Sequence, residues 1–135
     1  MTVRAWRLQL EAATYLVAAR MAVRLLPFRW LTPLFERAPR RPELEGTARA
    51  VARSEVRRAI FNAARRLPGD TVCFPKAVAA QAMLRRRGVG TVLYCGASIS
   101  SPDGLTAHVW VQDGEVGVSG FNASKGYSAL ARFPA

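Results

Sequence analysis

The sequence predicts an α+β fold in which helices come first and a small antiparallel sheet follows. Apolar residues recur at spacings of three and four through most of the chain up to Arg87. After Gly90 the pattern changes to that of strands, and Asp113-Gly114 is typical of a tight hairpin turn. With 135 residues, half of them hydrophobic, the chain has enough apolar material for one core.

The first half of the chain predicts three helices. A first helix is expected over residues 8–26, where Pro27 ends it, and a short second one over 31–37. Residues 38–46 contain two prolines and four charged residues, which is typical of a linker. A third helix is expected over 47–67. These boundaries predict an N-terminal helical region, 1–45, and a core, 46–135, within one compact domain.

A fourth helix is expected after Asp70, whose carboxylate can cap free N–H groups of the first turn. Pro75 suits that first turn, and Gly88 supplies the C-terminal stop. Strands are then expected over 92–99, 105–112 and 115–119. The last segment, 127–133, has apolar residues at helical spacing and is expected to form a closing turn.

The net charge of +11 predicts attraction to acidic partners, although arginine usage in a GC-rich genome gives the same composition. Arg49, Arg53, Arg57 and Arg65 fall on one face of the third helix, which is either a solvated face or a docking surface. The basic segments lack interleaved stacking aromatics, so nucleic acid is not an expected partner.

The chain has two cysteines, Cys73 and Cys95, and one histidine, His108. This set is too small for a zinc site without scattered carboxylates, so neither a metal nor a cofactor is expected. The longest apolar run, 12–19, is too short to span a bilayer. No secretory signal is recognisable, so a reducing cytoplasm is expected, and a disulfide between the two cysteines stays open.

Cys73 and His108 are the residues that suit chemistry. Cys73 falls in the first turn of the fourth helix, where the partial positive charge favours thiolate and free N–H groups can hold an oxyanion. His108 lies on a predicted strand, where neutral imidazole can take the thiol proton. Trp110 shares its face by alternation and either shields the site or fills the core. Cys95 is expected to pack.

Three segments carry a resemblance to a known family. CFPKAVAAQAMLRRRG (73–88), AHVWVQDG (107–114) and YSALARF (127–133) resemble the nucleophile helix, the histidine hairpin and the C-terminal tail of lasso-peptide leader peptidases. The resemblance implies a papain/transglutaminase-like fold, with the nucleophile helix packed on the sheet. It also implies a cysteine peptidase with Cys73 as nucleophile and His108 as general base.

The resemblance further implies substrate and partners. Such peptidases remove the leader from a ribosomally made precursor peptide, with threonine preferred at the second-last leader position. They act with a small leader-binding recognition protein, expected here as a separate chain, and an ATP-dependent cyclase then closes the lasso ring. The substrate is expected as an added strand beside 92–99. A catalytically silent scaffold that presents the precursor is the alternative.

The family also uses a third residue that orients the histidine. Asp113 at the hairpin tip would lie about 17 Å from His108 along the strand, out of reach. If 112 pairs with 115, Ser119 falls opposite His108, and Asn122 follows three residues later with an amide oxygen that can bind imidazole. The third member is therefore Ser119, Asn122, an acid elsewhere such as Asp103, or absent.

Overall fold

The computed structural model describes residues 3–37, 39, 42–67, 73–101, 104–119 and 127–134. Helices precede strands along the chain, which confirms the predicted α+β order. The elements are α1 (Val3–Leu25), α2 (Phe28–Phe35), α3 (Gly46–Arg66), α4 (Cys73–Arg86), β1 (Val92–Ser101), β2 (Gly104–Asp113), β3 (Val116–Ser119) and β4 (Ser128–Phe133).

The boundaries of α3 and α4 agree with the sequence patterns, whereas α2 covers Phe28–Phe35 instead of 31–37 and α1 starts early. This helix begins at Val3, five residues before the predicted start, and its first turn is joined to α3 by an ion pair between Arg4 and Glu55. The helix α4 ends as expected, because Gly88 has φ +83° and forms the left-handed turn that side chains disfavour. Asp70, the predicted cap of α4, lies outside the described residues.

The helix α4 forms the centre of the core. Its buried residues are mostly small, which allows α1 and α3 to approach it on one side and the sheet on the other. They are Ala77, Val78, Ala79, Ala80, Gln81, Met83 and Leu84. Leu16 of α1, Val56 of α3 and Val111 of β2 complete the same core. No helix in the described part of the chain has the length and apolar character needed to cross a bilayer.

The four strands form one antiparallel sheet in the order β3-β2-β1-β4. Two predictions about it are wrong. The C-terminal segment is not a closing turn but the strand β4, which pairs with β1 from Ala97↔Ser128 to Leu93↔Phe133. As a result, β1 has a neighbour on both sides, and it cannot be the edge to which a substrate strand is added.

The β2–β3 hairpin turns one residue later than expected. Asp113 pairs with Val116, and Gly114 enters the turn with φ +59°. A register shift follows, because Gln112 pairs with Gly117 while Val111 pairs with Ser119. One extra residue on β3 is the usual cause of such a bulge. Ser119 therefore lies opposite Val111, and the prediction that it pairs with His108 is wrong.

The two faces of the sheet have different environments. Residues of alternating positions on β1 and β2 pack against the helical core: Leu93, Cys95, Val109 and Val111. The intervening positions belong to the opposite face, because successive side chains of a strand point to opposite sides. They are Tyr94, Gly96, His108 and Trp110. We refer to these two sides as the helix face and the aromatic face.

Candidate active site

Cys73 is the first residue of α4, so the prediction that it lies at a helix start is confirmed. The first-turn N–H groups of a helix have no partner within the helix. Pro75, buried in this turn, contributes no donor. The side chain of Cys73 lies outside the described part of the structure.

Four phenylalanine rings hold the start of α4 in place. Phe74 follows Cys73 directly and packs against Phe28 and Phe35 of α2, and Phe133 of β4 completes the cluster. Neighbouring ring centroids lie 5.8–6.1 Å apart in tilted or edge-on arrangements, which are the favoured geometries for aromatic pairs. The backbone of Cys73 is therefore positioned by contacts from two other elements.

His108 lies in the middle of β2, half-buried and paired with Gly96 of β1. Its ring is part of a row on the aromatic face. Trp110 stacks on one side with centroids 5.8 Å apart, and Tyr127 contacts the other at 5.3 Å. Tyr94 continues the row by stacking on Trp110 at 5.6 Å. The expectation that Trp110 shares a face with His108 is confirmed.

Gly96 makes room for this row. A Cβ atom at Gly96 would lie 2.8 Å from the Trp110 ring and 2.8 Å from the carbonyl oxygen of Ser128. Any side chain there would push the indole away from the sheet. The indole is fixed from its other end as well, because Trp110 Nε1 donates a hydrogen bond of 2.7 Å to Gln112 Oε1. The stack beside His108 is therefore rigid.

The helix α4 packs on the helix face of the sheet, whereas the His108 ring lies on the aromatic face. The start of α4 and His108 lie at similar positions along the strands. Phe74 is linked through Phe28 to Phe133, the strand partner of Leu93. His108 lies opposite Gly96, about 10 Å further along β1. Val109, which neighbours His108, faces the helical core. The contact between the Cys73 thiol and the imidazole stays a prediction from the sequence.

Of the three residues named as candidates for orienting His108, the structure describes Ser119. Ser119 pairs with Val111, which lies three residues and about 10 Å from His108 along β2. Asn122 and Asp103 lie outside the described residues. Tyr127, which the sequence analysis did not single out, contacts the imidazole directly.

Asp113 has a structural role instead. Its buried carboxylate accepts hydrogen bonds from Arg49 at 2.6 Å and Arg53 at 2.7 Å, which ties the β2–β3 hairpin to α3. Burial alone would raise the pKa of Asp113. The hydrogen bonds and charges of the two guanidinium groups outweigh burial, and the pKa lies below that of a free aspartate. These two arginines are therefore part of neither a solvated face nor a docking surface.

Cys95 lies on the helix face, half-buried against the core, as expected for a packing residue. Cys95 is not disulfide-bonded, so the disulfide that the sequence left open is not formed. Among the described residues, no cluster of three or more histidine, cysteine or carboxylate side chains could hold a metal ion.

Comparison with known families shows the family to which this chain belongs. The family model described as the transglutaminase-like superfamily matches residues 13–132. The chain belongs to the transglutaminase-like superfamily. No curated protein and no solved structure matches it. The match begins within α1 and ends within β4, so α2, α3 and α4 lie wholly inside it.

Membership explains the architecture. The transglutaminase-like superfamily includes cysteine peptidases and transferases, and the predicted papain/transglutaminase-like α+β fold is confirmed. In this transglutaminase-like domain, Cys73 opens the central helix and His108 lies on an inner strand of the antiparallel sheet. The sequence signal for Tyr127 was a lone aromatic residue before a short apolar segment, which does not indicate what it contacts.

Proposed function

We propose that this chain is a cysteine peptidase that removes the leader from a ribosomally made lasso-peptide precursor. The observation that carries the proposal is the start of α4 at Cys73 within a transglutaminase-like domain. A thiol at a helix start is activated by the local positive potential, and free N–H groups beside it can stabilise a tetrahedral oxyanion. The similarity of segments 73–88, 107–114 and 127–133 to leader peptidases supports the choice of substrate.

The proposed reaction is acyl transfer to sulfur followed by hydrolysis. His108 takes the proton from the Cys73 thiol, and the thiolate attacks the scissile carbonyl carbon. Collapse of the tetrahedral intermediate breaks the C–N bond, and His108 returns the proton to the leaving amine. Water then attacks the thioester, which releases the leader carboxylate and the free thiol. In this scheme Trp110 and Tyr127 hold the imidazole between two aromatic rings.

The proposal includes partners and location. The substrate is presented by a separate leader-binding recognition protein, and an ATP-dependent cyclase consumes the freed amine. We propose the cytoplasm as the location, since a reducing compartment keeps a thiol nucleophile free. Because β1 is covered on both sides, an extended substrate would need another edge of the sheet.

A non-catalytic scaffold of the same fold is the second candidate, and one observation favours it. His108 lies on the aromatic face, whereas α4 packs on the helix face. If the imidazole does not reach Cys73, the domain would bind and present the precursor without cutting it. Leader binding without hydrolysis distinguishes this candidate from the peptidase.

The test is cleavage of a lasso precursor by purified protein, with and without the recognition protein, read by mass spectrometry. Wild type and Cys95→Ser should cut one bond, with threonine at the second-last leader position. Cys73→Ala and His108→Ala should lose at least a thousandfold in rate, since the nucleophile and base act as a unit. Cysteine-to-serine exchange at Cys95 is the matched control, because that thiol packs against the core.

Two outcomes would contradict the peptidase. Cleavage by Cys73→Ala at the wild-type rate would exclude Cys73 as the nucleophile. Folded wild-type protein that binds precursor but cuts nothing, even with the recognition protein, would establish the scaffold. Iodoacetamide labelling adds an independent measurement, because an activated Cys73 reacts faster than Cys95 at neutral pH.

A further inference from the structure

The outer face of α1 carries a row of exposed apolar side chains, which Thr14 interrupts at its middle. Each of them is between 45% and 76% exposed, whereas Ala12, Leu16 and Ala19 on the opposite side of the helix are buried in the core. The row, which we call the α1 stripe, consists of Val3, Trp6, Leu10, Val17, Met21 and Leu25. An exposed apolar surface of this extent usually marks an interaction site.

The spacing of the α1 stripe matches a straight helix. With the exposed Thr14 included, the intervals are three, four and four residues, and this pattern repeats from Val3 to Leu25. An 11-residue repeat of 3.67 residues per turn drifts very little around an α-helix. The stripe is therefore one side chain wide and about 33 Å long. Such a narrow seam is typical of helix–helix packing, whereas a helix that lies on a membrane needs a broader apolar face.

The edges of the α1 stripe are positively charged. Arg7 and Arg24 are exposed on its two flanks, and neither has an ion-pair partner in the described part of the chain. Glu11 is the one acidic residue of α1, and Arg87 of α4 binds its carboxylate from the side. That hydrogen bond with Arg87 lowers the pKa of Glu11. The negative charge of Glu11 is therefore already balanced by Arg87 within the chain. The occupant of the stripe should therefore carry negative charge.

A second copy of this chain does not meet that requirement. In an antiparallel pair centred on Thr14, Arg24 would lie near Arg4 and Arg7 of the other copy. In a parallel pair, Arg7 would face its own equivalent. Like charges beside an apolar seam oppose association, and this is how coiled coils select their partners.

We propose that the α1 stripe docks an amphipathic helix of another protein, with an apolar seam flanked by aspartate or glutamate. The apolar seam supplies the binding free energy, and the carboxylates pair with Arg7 and Arg24. The docking surface lies on the outer face of α1, and it does not depend on the reaction proposed for Cys73. Docking and cleavage can therefore fail separately.

A synthetic helix tests the proposal with the full-length protein. The probe is a 22-residue peptide, a length of about 33 Å, with leucine on the same three-four-four repeat and glutamate on both flanks. A second peptide carries lysine in place of glutamate. Fluorescence anisotropy should show binding of the glutamate peptide at about 100 μM or below and none of the lysine peptide.

Variants then locate the site. Leu10→Ser/Val17→Ser should weaken binding of the glutamate peptide at least about tenfold, because two buried aliphatic contacts are lost. Arg7→Glu/Arg24→Glu should reverse the preference toward the lysine peptide. The matched control, Phe61→Ser/Leu130→Ser, removes two equally exposed apolar residues elsewhere and should bind like wild type. Circular dichroism confirms that each variant is folded.

Several results would overturn the proposal. These are no binding of the glutamate peptide, equal binding of both peptides, or equal weakening by the control variant. Sedimentation of wild type as a dimer that Leu10→Ser/Val17→Ser dissociates would assign the stripe to a second copy. Binding to phosphatidylglycerol vesicles, lost in the same variant and without peptide binding, would assign it to a lipid surface.

Discussion

The Trp110 indole lies nearly parallel to the His108 imidazole, with ring centroids 5.8 Å apart and 18° between the ring planes. Aromatic stacking of this kind restricts rotation of the smaller ring. Since His108 is the sole histidine, its ring protons report on the stack without ambiguity in an NMR spectrum.

Replacement of Trp110 by leucine should therefore move the His108 ring-proton resonances and lower kcat/KM for precursor cleavage about fivefold, since such a stack contributes about 1 kcal/mol. Trp30→Leu is the matched control, because Trp30 is exposed and remote from the row. Unchanged His108 resonances in Trp110→Leu would show that the stack does not exist in solution.

Gly96→Ala tests the row of aromatic rings beside His108 from the neighbouring strand β1. The added methyl would lie 2.8 Å from the Trp110 ring and from the Ser128 carbonyl oxygen, so one of them must move. We expect a loss of about 1–3 kcal/mol in the free energy of unfolding, measured in urea, together with a changed His108 resonance. Ala129→Ser, an exposed position on β4 opposite Gly96, should change neither.

The ion pairs of Asp113 predict a pH-dependent contribution to stability. Asp113→Asn leaves Arg49 and Arg53 without their carboxylate and should cost about 2–3 kcal/mol at neutral pH. Because the folded-state pKa is lowered, the carboxylate stabilises the fold fully above the pKa of the unfolded chain. This contribution is lost as the pH falls through the folded pKa.

The measurement is Tm against pH for wild type and Asp113→Asn, with Glu115→Gln as control because Glu115 is exposed in the adjacent turn. The difference in Tm between wild type and Asp113→Asn should narrow on acidification, whereas Glu115→Gln should follow wild type throughout. A difference that stays constant down to the most acidic pH would mean that the ion pairs do not stabilise the fold.

Gln81 joins three elements through one side-chain amide. Its Nε2 lies 3.2, 3.4 and 3.1 Å from the carbonyl oxygens of Phe35, Thr91 and Phe133, and these three acceptors share its two N–H donors. A carboxylate has no such donor, so Gln81→Glu should lower the free energy of unfolding by about 3 kcal/mol or more. Gln112→Glu is the matched control, because a carboxylate still accepts from Trp110, and the one donated hydrogen bond that is lost, to the Gly114 carbonyl oxygen, is exposed to water. Equal losses from the two exchanges would contradict this role of Gln81.

Sequence patterns predicted those features that depend on residues close together in the sequence. Cys73 at a helix start, Gly88 at a helix end and the alternation that brings Trp110 beside His108 all follow from short-range rules. The turn after Asp113 was misplaced by one residue, because the carboxylate turns inward to two arginines of α3. The contact between Arg53 and Asp113 joins residues that lie 60 positions apart in the sequence.

The C-terminal segment shows why other features could not be predicted from the sequence. The spacing of Tyr127, Leu130 and Phe133 suits a helix, but in the strand β4 only Phe133 contacts the core and Leu130 is exposed. Pairing with β1 decides the conformation, and six residues carry too little periodicity to reveal such a partner. The placement of His108 on the face opposite α4 has the same origin, since it depends on how the sheet packs.

The strand order has a consequence for synthesis of the protein. The ribosome makes β1 well before β4, although the two are neighbours in the finished sheet. Until β4 emerges, the nascent chain presents one unpaired side of β1, a strand whose inner residues are apolar. Unpaired strand edges on partly folded chains are sites of aggregation. Yield in cells should therefore depend on how quickly translation proceeds from β3 to the end of β4.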